Sequence, residues 1–494
     1  MMDLPESGPN TEDEPSSHKS SMPEHLQAAL STDWDPAPPM PHPARPDFTP
    51  HAARRRAAVS EQFPGTLVVV PAGSSKARAN DTDYPFRAAS SFTWLTGETI
   101  ADAVLVMTPS GDGHHSTLYV AEHAQPGELE YFMDYKHSPV WVGNVPSGAN
   151  TSAVLGIEVR PLPALADDLA AYRDDQCALL RGFDNRVDKL LAKGSGEMLG
   201  RALDELRLVK DEWEVARLWH ACEATARGFA DVVRELPAVV GRDDLRGERW
   251  LEGTFWRRAR LEGNEVGYTS VVASGPHATT PHWWRNNGVV HRGALLLADM
   301  GVETDELYTA DVTRTLPVDG AWTPAQLKVY RAVQEAQAAG IAEVKAGNAF
   351  VAAHKAAMYV IADHLHSWGI LPVTADVACA DDEEQPGAGL HRRYTLHGTS
   401  HMLGIDVHDC ALARMEQYRT GTLTVGHVLT VEPGLYFQTN DRAVPQELRG
   451  IGVRIEDDVL VTDGEPVNLS AMLPRDPDDV IAWMRDAQHT PAIP

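Results

Sequence analysis

Four apolar, strand-like runs in the second half of this chain each carry one carboxylate, and that pairing limits what the chain can fold into. Asp299 closes Ala294–Ala298, and Asp311 sits within Tyr308–Thr315. Glu432 follows Val428–Val431, and Glu456 follows Gly450–Ile455. An ionised carboxylate is rarely buried unless it is paired or bound to a metal. The runs must therefore converge where their charges can be shared. A fifth candidate, His401, lies in His397–Asp409, where three histidines fall within twelve residues. Imidazole is the commonest metal-ligand side chain. One such acid alone would be read as an ion pair with an arginine such as Arg314 or Arg454. Five residues of this kind in order read better as one donor set. Four carboxylates and an imidazole suit Mn²⁺, Fe²⁺, Co²⁺ or Zn²⁺ and favour two divalent ions over one. Bridging carboxylates would bring such ions close enough to share and activate one water.

At 494 residues the chain exceeds what one core usually serves. Residues 1–51 form an acidic, Pro-rich segment with few apolar residues, expected to lack order. Residues 52–203 alternate strand and helix patterns, which implies an α/β domain. The strands are Thr66–Pro71, Ala103–Met107 and Ser116–Val120, the last two joined through Gly111–Gly113; helical pattern covers Ala164–Tyr172 and Asn185–Leu191. The aromatics of Tyr84–Arg87 and Phe92–Gly97 suit either a binding surface or the core of this domain. A break at Leu206–Asp211 opens the second domain, residues 204–494. There Asp211 and Glu214 have capping-box character before a long helix, and a second helix covers about Asp243–Leu261. Thr323, Pro324 and Gln326 start another helix, followed by one over Phe350–Trp368. Strand patterns at Tyr268–Ala273, Ala294–Asp299, Leu307–Thr315, Val428–Glu432 and Gly452–Val461 complete the layout. It reads helix pair, strands, helix pair, strands, and Asp476 caps a final short helix.

Composition narrows the function. A formal charge of -27 argues against nucleic acid or an anionic membrane as the main partner. Cys177, Cys222, Cys379 and Cys410 are far apart and form no C-x-x-C pair, so neither a disulfide framework nor a structural zinc site is expected. The opening residues lack a basic and then apolar leader, and no run is long and apolar enough to span a bilayer, so cytoplasmic residence is expected. There is no H-E-x-x-H, G-x-S-x-G or phosphate-binding loop. Gly450–Gly452 and Gly387–Gly389 lack the third glycine of a dinucleotide motif.

The motifs Asp299-Met-Gly, Asp311-Val-Thr-Arg-Thr, His397-Gly-x-Ser-His401-x-x-Gly-x-Asp-x-His408, Val-Glu432-Pro-Gly-Leu-Tyr436 and Gly-Val-Arg454-Ile-Glu456 together resemble the pita-bread metallopeptidases. That family includes aminopeptidase P, prolidase, methionine aminopeptidase and creatinase. Tyr84-Pro-Phe-Arg87 followed by Ser91-Phe-x-Trp-Leu-Thr-Gly97 is similar to the amino-terminal domain of aminopeptidase P. The resemblance covers about residues 52–490. It implies an α/β (α+β) chain with a creatinase/prolidase-type amino-terminal α/β domain followed by a pita-bread catalytic domain.

The resemblance also implies roles. Asp299 would hold one metal, Asp311 and Glu456 would bridge both, and His401 and Glu432 would hold the other, with Mn²⁺ expected ahead of Co²⁺ or Zn²⁺. Glu432, His282 and His408 would be catalytic. His282, His397, His408, Tyr436 and Arg454 would contact substrate, and Asp406 would be structural. Gly398 and Gly404 are expected to let the chain pass closely by the site. The implied reaction is that of an Xaa-Pro aminopeptidase, with a metal-activated hydroxide as nucleophile and peptides with proline at the second position as substrates. The alternatives are a prolidase restricted to Xaa-Pro dipeptides, a metal-free creatinase-like enzyme and a non-catalytic peptide-binding module. A homo-oligomer, dimer or tetramer, is also implied.

Overall fold

The computed structural model describes residues 22–491, apart from 36–39, 41, 44, 46, 81, 144, 145, 147, 173–175, 193, 195 and 383. In the first half, five strands form a mixed sheet in the order Glu158–Pro161, Gly113–Val120, Val104–Ser110, Leu67–Pro71, Cys177–Leu179. The inner strand Leu67–Pro71 is buried along its whole length, as its unbroken Leu-Val-Val-Val run requires. It pairs antiparallel with Val104–Ser110 and parallel with Cys177–Leu179. Val68, Val70, Leu105 and Leu118 pack one sheet face on Val59, Phe92 and Leu95. Val69, Val104 and Val106 pack the other on Leu165, Leu169 and Val187. Phe92 and Trp94 are buried, so these aromatics serve the domain core, whereas Tyr84 is exposed.

Order begins earlier than expected. Glu24–Leu30 is helical, Phe48 is buried, and a helix starts at Thr49. His42 pairs with Glu98 at 3.0 Å, which ties the end of the acidic segment to the domain. Residues 1–21 lie outside the described residues. The helix Gly196–Arg207 runs through the expected boundary at 203/204. The chain turns after it, at Leu208–Asp211. There the Asp211 carboxylate accepts the Trp213 and Glu214 N–H groups while Glu214 accepts that of Asp211, and the helix Glu212–Val239 begins.

In the second half, the helices Glu212–Val239 and Gly247–Glu262 cover an antiparallel sheet of Val271–Ser274, Leu295–Met300 and Val312–Pro317 through Phe229, Val232, Phe255, Val272, Leu296 and Val312. The helices Pro324–Ala342 and Ala352–Ser367 cover the pair Gly434–Tyr436 and Gly452–Arg454 in the same manner. Thr323 and Gln326 form the capping box that starts the first of these. The expected strand Gly452–Val461 is instead two strands, Gly452–Arg454 and Asp457–Leu460, in different sheets. Glu456 stands at the junction, its N–H donating to Thr313 O at 3.1 Å. The expected strand from Leu307 begins only at Val312, and Leu307 itself has a left-handed φ of 69°.

Candidate metal centre

Sheet register explains how the acids meet. Asp299 lies opposite Thr313 in the antiparallel pair. Side chains alternate along a strand, so Asp311, two residues before Thr313, shares a face with both. Thr313 Oγ1 donates to Glu456 Oε2 at 2.6 Å and accepts from Arg454 Nε at 3.0 Å, joining the inner strands to Glu456. On the opposite wall the chain before Leu403 runs beside Val428–Val431, with Thr430 N donating to His401 O at 3.0 Å and Glu432 N to Thr399 O at 2.9 Å. That pairing brings His401 and Glu432 to one wall.

His401 Nε2 lies 3.3 Å from Asp311 Oδ2 and 3.7 Å from Glu432 Oε1. One donor atom each from Asp311, His401 and Glu456 falls within a 4.8 Å cluster, a separation that a divalent ion spans. Asp299 is held differently, accepting from Arg454 Nη2 at 2.5 Å and from the Tyr268 hydroxyl at 2.7 Å. All five line one cleft of about 770 Å³ with His282, His397, His408 and Arg454.

The electrostatics of this cleft are unbalanced. Burial pushes the Glu432 carboxyl up to about 7, against the pull of His401 and Arg454. Burial and the charges of Asp311, Glu432 and Asp299 push Glu456 well above the carboxylate range. Burial alone would lower His401, but Asp311 and Glu432 more than offset it and raise the imidazole to about 9. Four acids thus face one guanidinium and one imidazole, and Arg314 gives no relief because it pairs with Asp457 at 2.6 Å. Oxygen and imidazole donors in a buried pocket with surplus negative charge fit divalent cations.

Around this core, His397 Nε2 contacts the Tyr436 hydroxyl at 2.7 Å, and its Nδ1 lies 3.4 Å from Glu432 Oε2. Tyr436 also accepts from Arg454 Nη1 at 3.0 Å. His408 is exposed and meets the His401 ring edge-on at 4.4 Å between centroids. His282 is exposed on the rim beside Trp284. Asp406 points away from the cleft, toward Ser90 Oγ at 2.6 Å and Arg207 Nη2 at 3.0 Å. Sequence reasoning missed Tyr268, which sits just outside its strand and offers only a hydroxyl as signal. It also missed Asp458, whose carboxylate accepts the Asp311 N–H at 3.0 Å. The expectation for Gly404 holds, because a β-carbon there would strike the Asp409 carboxylate. Gly398 differs: its β-carbon position is open, so its smallness widens the cleft rather than permitting a close approach.

The family model "Metallopeptidase family M24" matches residues 216–463, and "Aminopeptidase P, N-terminal domain" matches residues 51–179. The chain belongs to metallopeptidase family M24. Xaa-Pro aminopeptidase 2 of Streptomyces coelicolor is 48% identical over 462 residues, covering 93% of this chain and 96% of the relative. Xaa-Pro aminopeptidase 1 of the same organism is 49% identical over 439 residues, covering 87% and 86%. Aminopeptidase P from E. coli with the inhibitor Pro-Leu superposes with a TM-score of 0.77 at 27% identity, covering 90% of this chain and 99% of that one. A zinc-substituted form of the E. coli enzyme in complex with product gives 0.76 at 28% identity, covering 89% and 98%. Within M24 the chain is thus of the aminopeptidase P type, and the expected order of an amino-terminal α/β domain before a pita-bread domain is met.

Proposed function

We propose that this M24 chain is an Xaa-Pro aminopeptidase, hydrolysing the bond between an amino-terminal residue and a following proline. The observation that carries the reading is the convergence of Asp299, Asp311, His401, Glu432 and Glu456 in one buried, electrically unbalanced cleft. The aminopeptidase P amino-terminal domain and the names of the relatives favour it over prolidase. The complete donor set disfavours a metal-free enzyme or a binding module.

In this reading Asp299, Asp311, His401, Glu432 and Glu456 would together hold two divalent ions. When bound, such ions supply Lewis acidity for the scissile carbonyl and lower the pKa of the attacking water. A bond to proline nitrogen is a tertiary amide without an N–H, so recognition cannot use that hydrogen. Glu432 takes the proton of the attacking water and passes it to the leaving proline nitrogen. Tyr268 and Arg454 hold Asp299 in place. His397 and Tyr436, hydrogen-bonded to each other, wall the proline side, and the exposed His282 and His408 reach the substrate from the rim. Arg454, with its guanidinium engaged by Asp299, Tyr436 and Thr313, orients this wall.

Manganese is the proposed metal, on ligand hardness, and a homo-oligomer is the proposed assembly, by family resemblance. Four cysteines without disulfides suit the reducing cytoplasm, the proposed location. Among the described residues no helix is long and apolar enough to cross a membrane. The proposed division of the two domains is at Leu208–Asp211. Comparing cleavage of Xaa-Pro-Yaa tripeptides with Xaa-Pro dipeptides tests the reading; hydrolysis of dipeptides alone would replace it with prolidase.

A further inference from the structure

The catalytic cleft has an apolar mouth to which the metal site gives no task. Trp284 and Met415 line the cleft together with the metal-binding side chains, yet they are 62% and 56% exposed. Single exposed apolar side chains are ordinary on a protein surface. These two stand on opposite walls of one cleft. Trp284 lies on the loop between the strands Val271–Ser274 and Leu295–Met300, and Met415 on the chain that continues from His401 and His408.

Both are held in place by their neighbours. Trp283 stacks on His277 at 3.9 Å between ring centres and donates its indole N–H to Glu248 Oε2 at 2.8 Å, with the Glu248 side chain fully buried. With Trp283 anchored in this way, Trp284 is left in water, accompanied by the Arg285 guanidinium at 5.9 Å from its ring centre. On the other wall Tyr418 is buried, packs edge-on against Phe350 and accepts the Met402 N–H at 2.8 Å. Arg414 pairs with Glu205 at 2.6 Å, and Met415 O accepts the Thr420 N–H at 2.8 Å. The two lips are therefore preorganised, which reduces the entropy lost when a ligand settles against them.

What meets this mouth follows from the proposed aminopeptidase reaction, on which the inference rests. Only one residue lies on the amino-terminal side of the bond that is cut. The free amino end therefore sits at the buried metal end, and the rest of the chain leaves through the exposed end. Proline occupies the wall of His397 and Tyr436. The Trp284 loop is tied to that wall, because Pro281 O accepts from Arg454 Nη1 at 3.4 Å and the same nitrogen donates to the Tyr436 hydroxyl at 3.0 Å. The next side chain outward is that of the residue after proline. Val407, Ala411 and Ala413 add apolar lining on the Met415 side.

We propose that Trp284 and Met415 bind the side chain of the third substrate residue and select for a large apolar one. Leucine or phenylalanine there covers indole and thioether surface that otherwise faces water, whereas serine covers little. Hydrolysis is measured on Ala-Pro-Leu-amide, Ala-Pro-Phe-amide and Ala-Pro-Ser-amide. Leu-Pro-Ala-amide and Ser-Pro-Ala-amide place the same change at the first residue. Wild-type protein is compared with Trp284→Ser, Met415→Ser and the double variant. Both side chains are exposed, so the fold should survive.

The expected wild-type kcat/KM is about tenfold higher for Leu or Phe than for Ser at the third residue, the low end of what an apolar pocket discriminates, because the lips stay partly in water. Each single variant should lower that ratio and the double variant abolish it, through KM more than kcat. Wild type without this preference, or a double variant that keeps it, overturns the assignment. A double variant that slows the Leu and Ser peptides equally also overturns it, since that is the mark of a structural role. A preference lost from the first residue rather than the third overturns it as well. Failure of wild type to cleave any of these peptides overturns the aminopeptidase reading, and the role of the lips with it.

Discussion

Replacing Arg207 with methionine should both destabilise the chain and slow it, because this guanidinium holds the loop that carries His408. Arg207, at the end of the helix Gly196–Arg207, is 4% exposed and bonds Asp406 at 3.0 Å and Asp204 at 3.3 Å, with a further contact to Asp409. Lys210 also bonds Asp409, at 2.8 Å, with both side chains 1% exposed. Breaking a buried ion pair costs about 3–5 kcal/mol. Lys210 still holds Asp409, and Arg87 still holds Asp406 at 3.2 Å, so the lower end applies, about 3 kcal/mol. At about 1 °C per kcal/mol for a chain of 494 residues, the variant's Tm should fall by about 3 °C. Burial alone would raise the Asp409 carboxyl, but Arg207 and Lys210 more than offset it and hold it well below the usual range. A depressed carboxyl stabilises the fold above its unfolded value, about 3.9, and loses that contribution as the pH falls through the folded one. The gap in Tm should therefore be full at neutral pH and narrow in acid. Arg207→Lys, which keeps the charge but not the fork, should recover part of both Tm and kcat/KM. An Arg207→Met protein with Tm within about 1 °C of wild type and unchanged kcat/KM would refute this role for the guanidinium.

Other expectations follow from the same geometry. Arg87→Ala removes the amino-terminal domain's bonds to Glu303 at 2.7 Å and Ile405 O at 2.8 Å, so peptide hydrolysis should fall with little change in metal content. Gly404→Ala drives a methyl group into the Asp409 carboxylate and should cost about 1–3 kcal/mol in denaturant titration. Glu456→Gln should abolish hydrolysis and lower bound metal in elemental analysis, whereas a merely structural Glu456 would leave metal content intact. Dialysis against a chelator should silence the wild-type protein, and Mn²⁺ should restore it.

What the sequence displayed was local chemistry. The capping boxes at Asp211 and Thr323 and the unbroken Val run at Val68–Val70 depend on neighbours a few residues away, and the structure contains each. The acids on apolar runs were legible because burying a charge is costly and the chain repeats that exception four times. Glu456 was legible as an acid but not as a junction, because Val453–Ile455 before it and Val459–Val461 after it read as one strand, and only the run Glu456–Asp458 interrupts them where the chain changes sheets. The Arg87 bond to Ile405 O spans 318 residues and has no local signature. The order around Phe48 was hidden for another reason: one aromatic and the His42–Glu98 pair anchor a segment whose composition favours disorder.

If the five clustered side chains hold two metal ions for hydrolysis before proline, bound metal and activity must rise together. Titration of metal-free protein with Mn²⁺, following cleavage of an Xaa-Pro-Yaa tripeptide and bound metal together, tests it most directly. Activity should reach its plateau as two ions bind per chain, and an Asp311→Ala protein should gain neither. Full activity with one ion bound, or an Asp311→Ala protein that turns over normally, would contradict it.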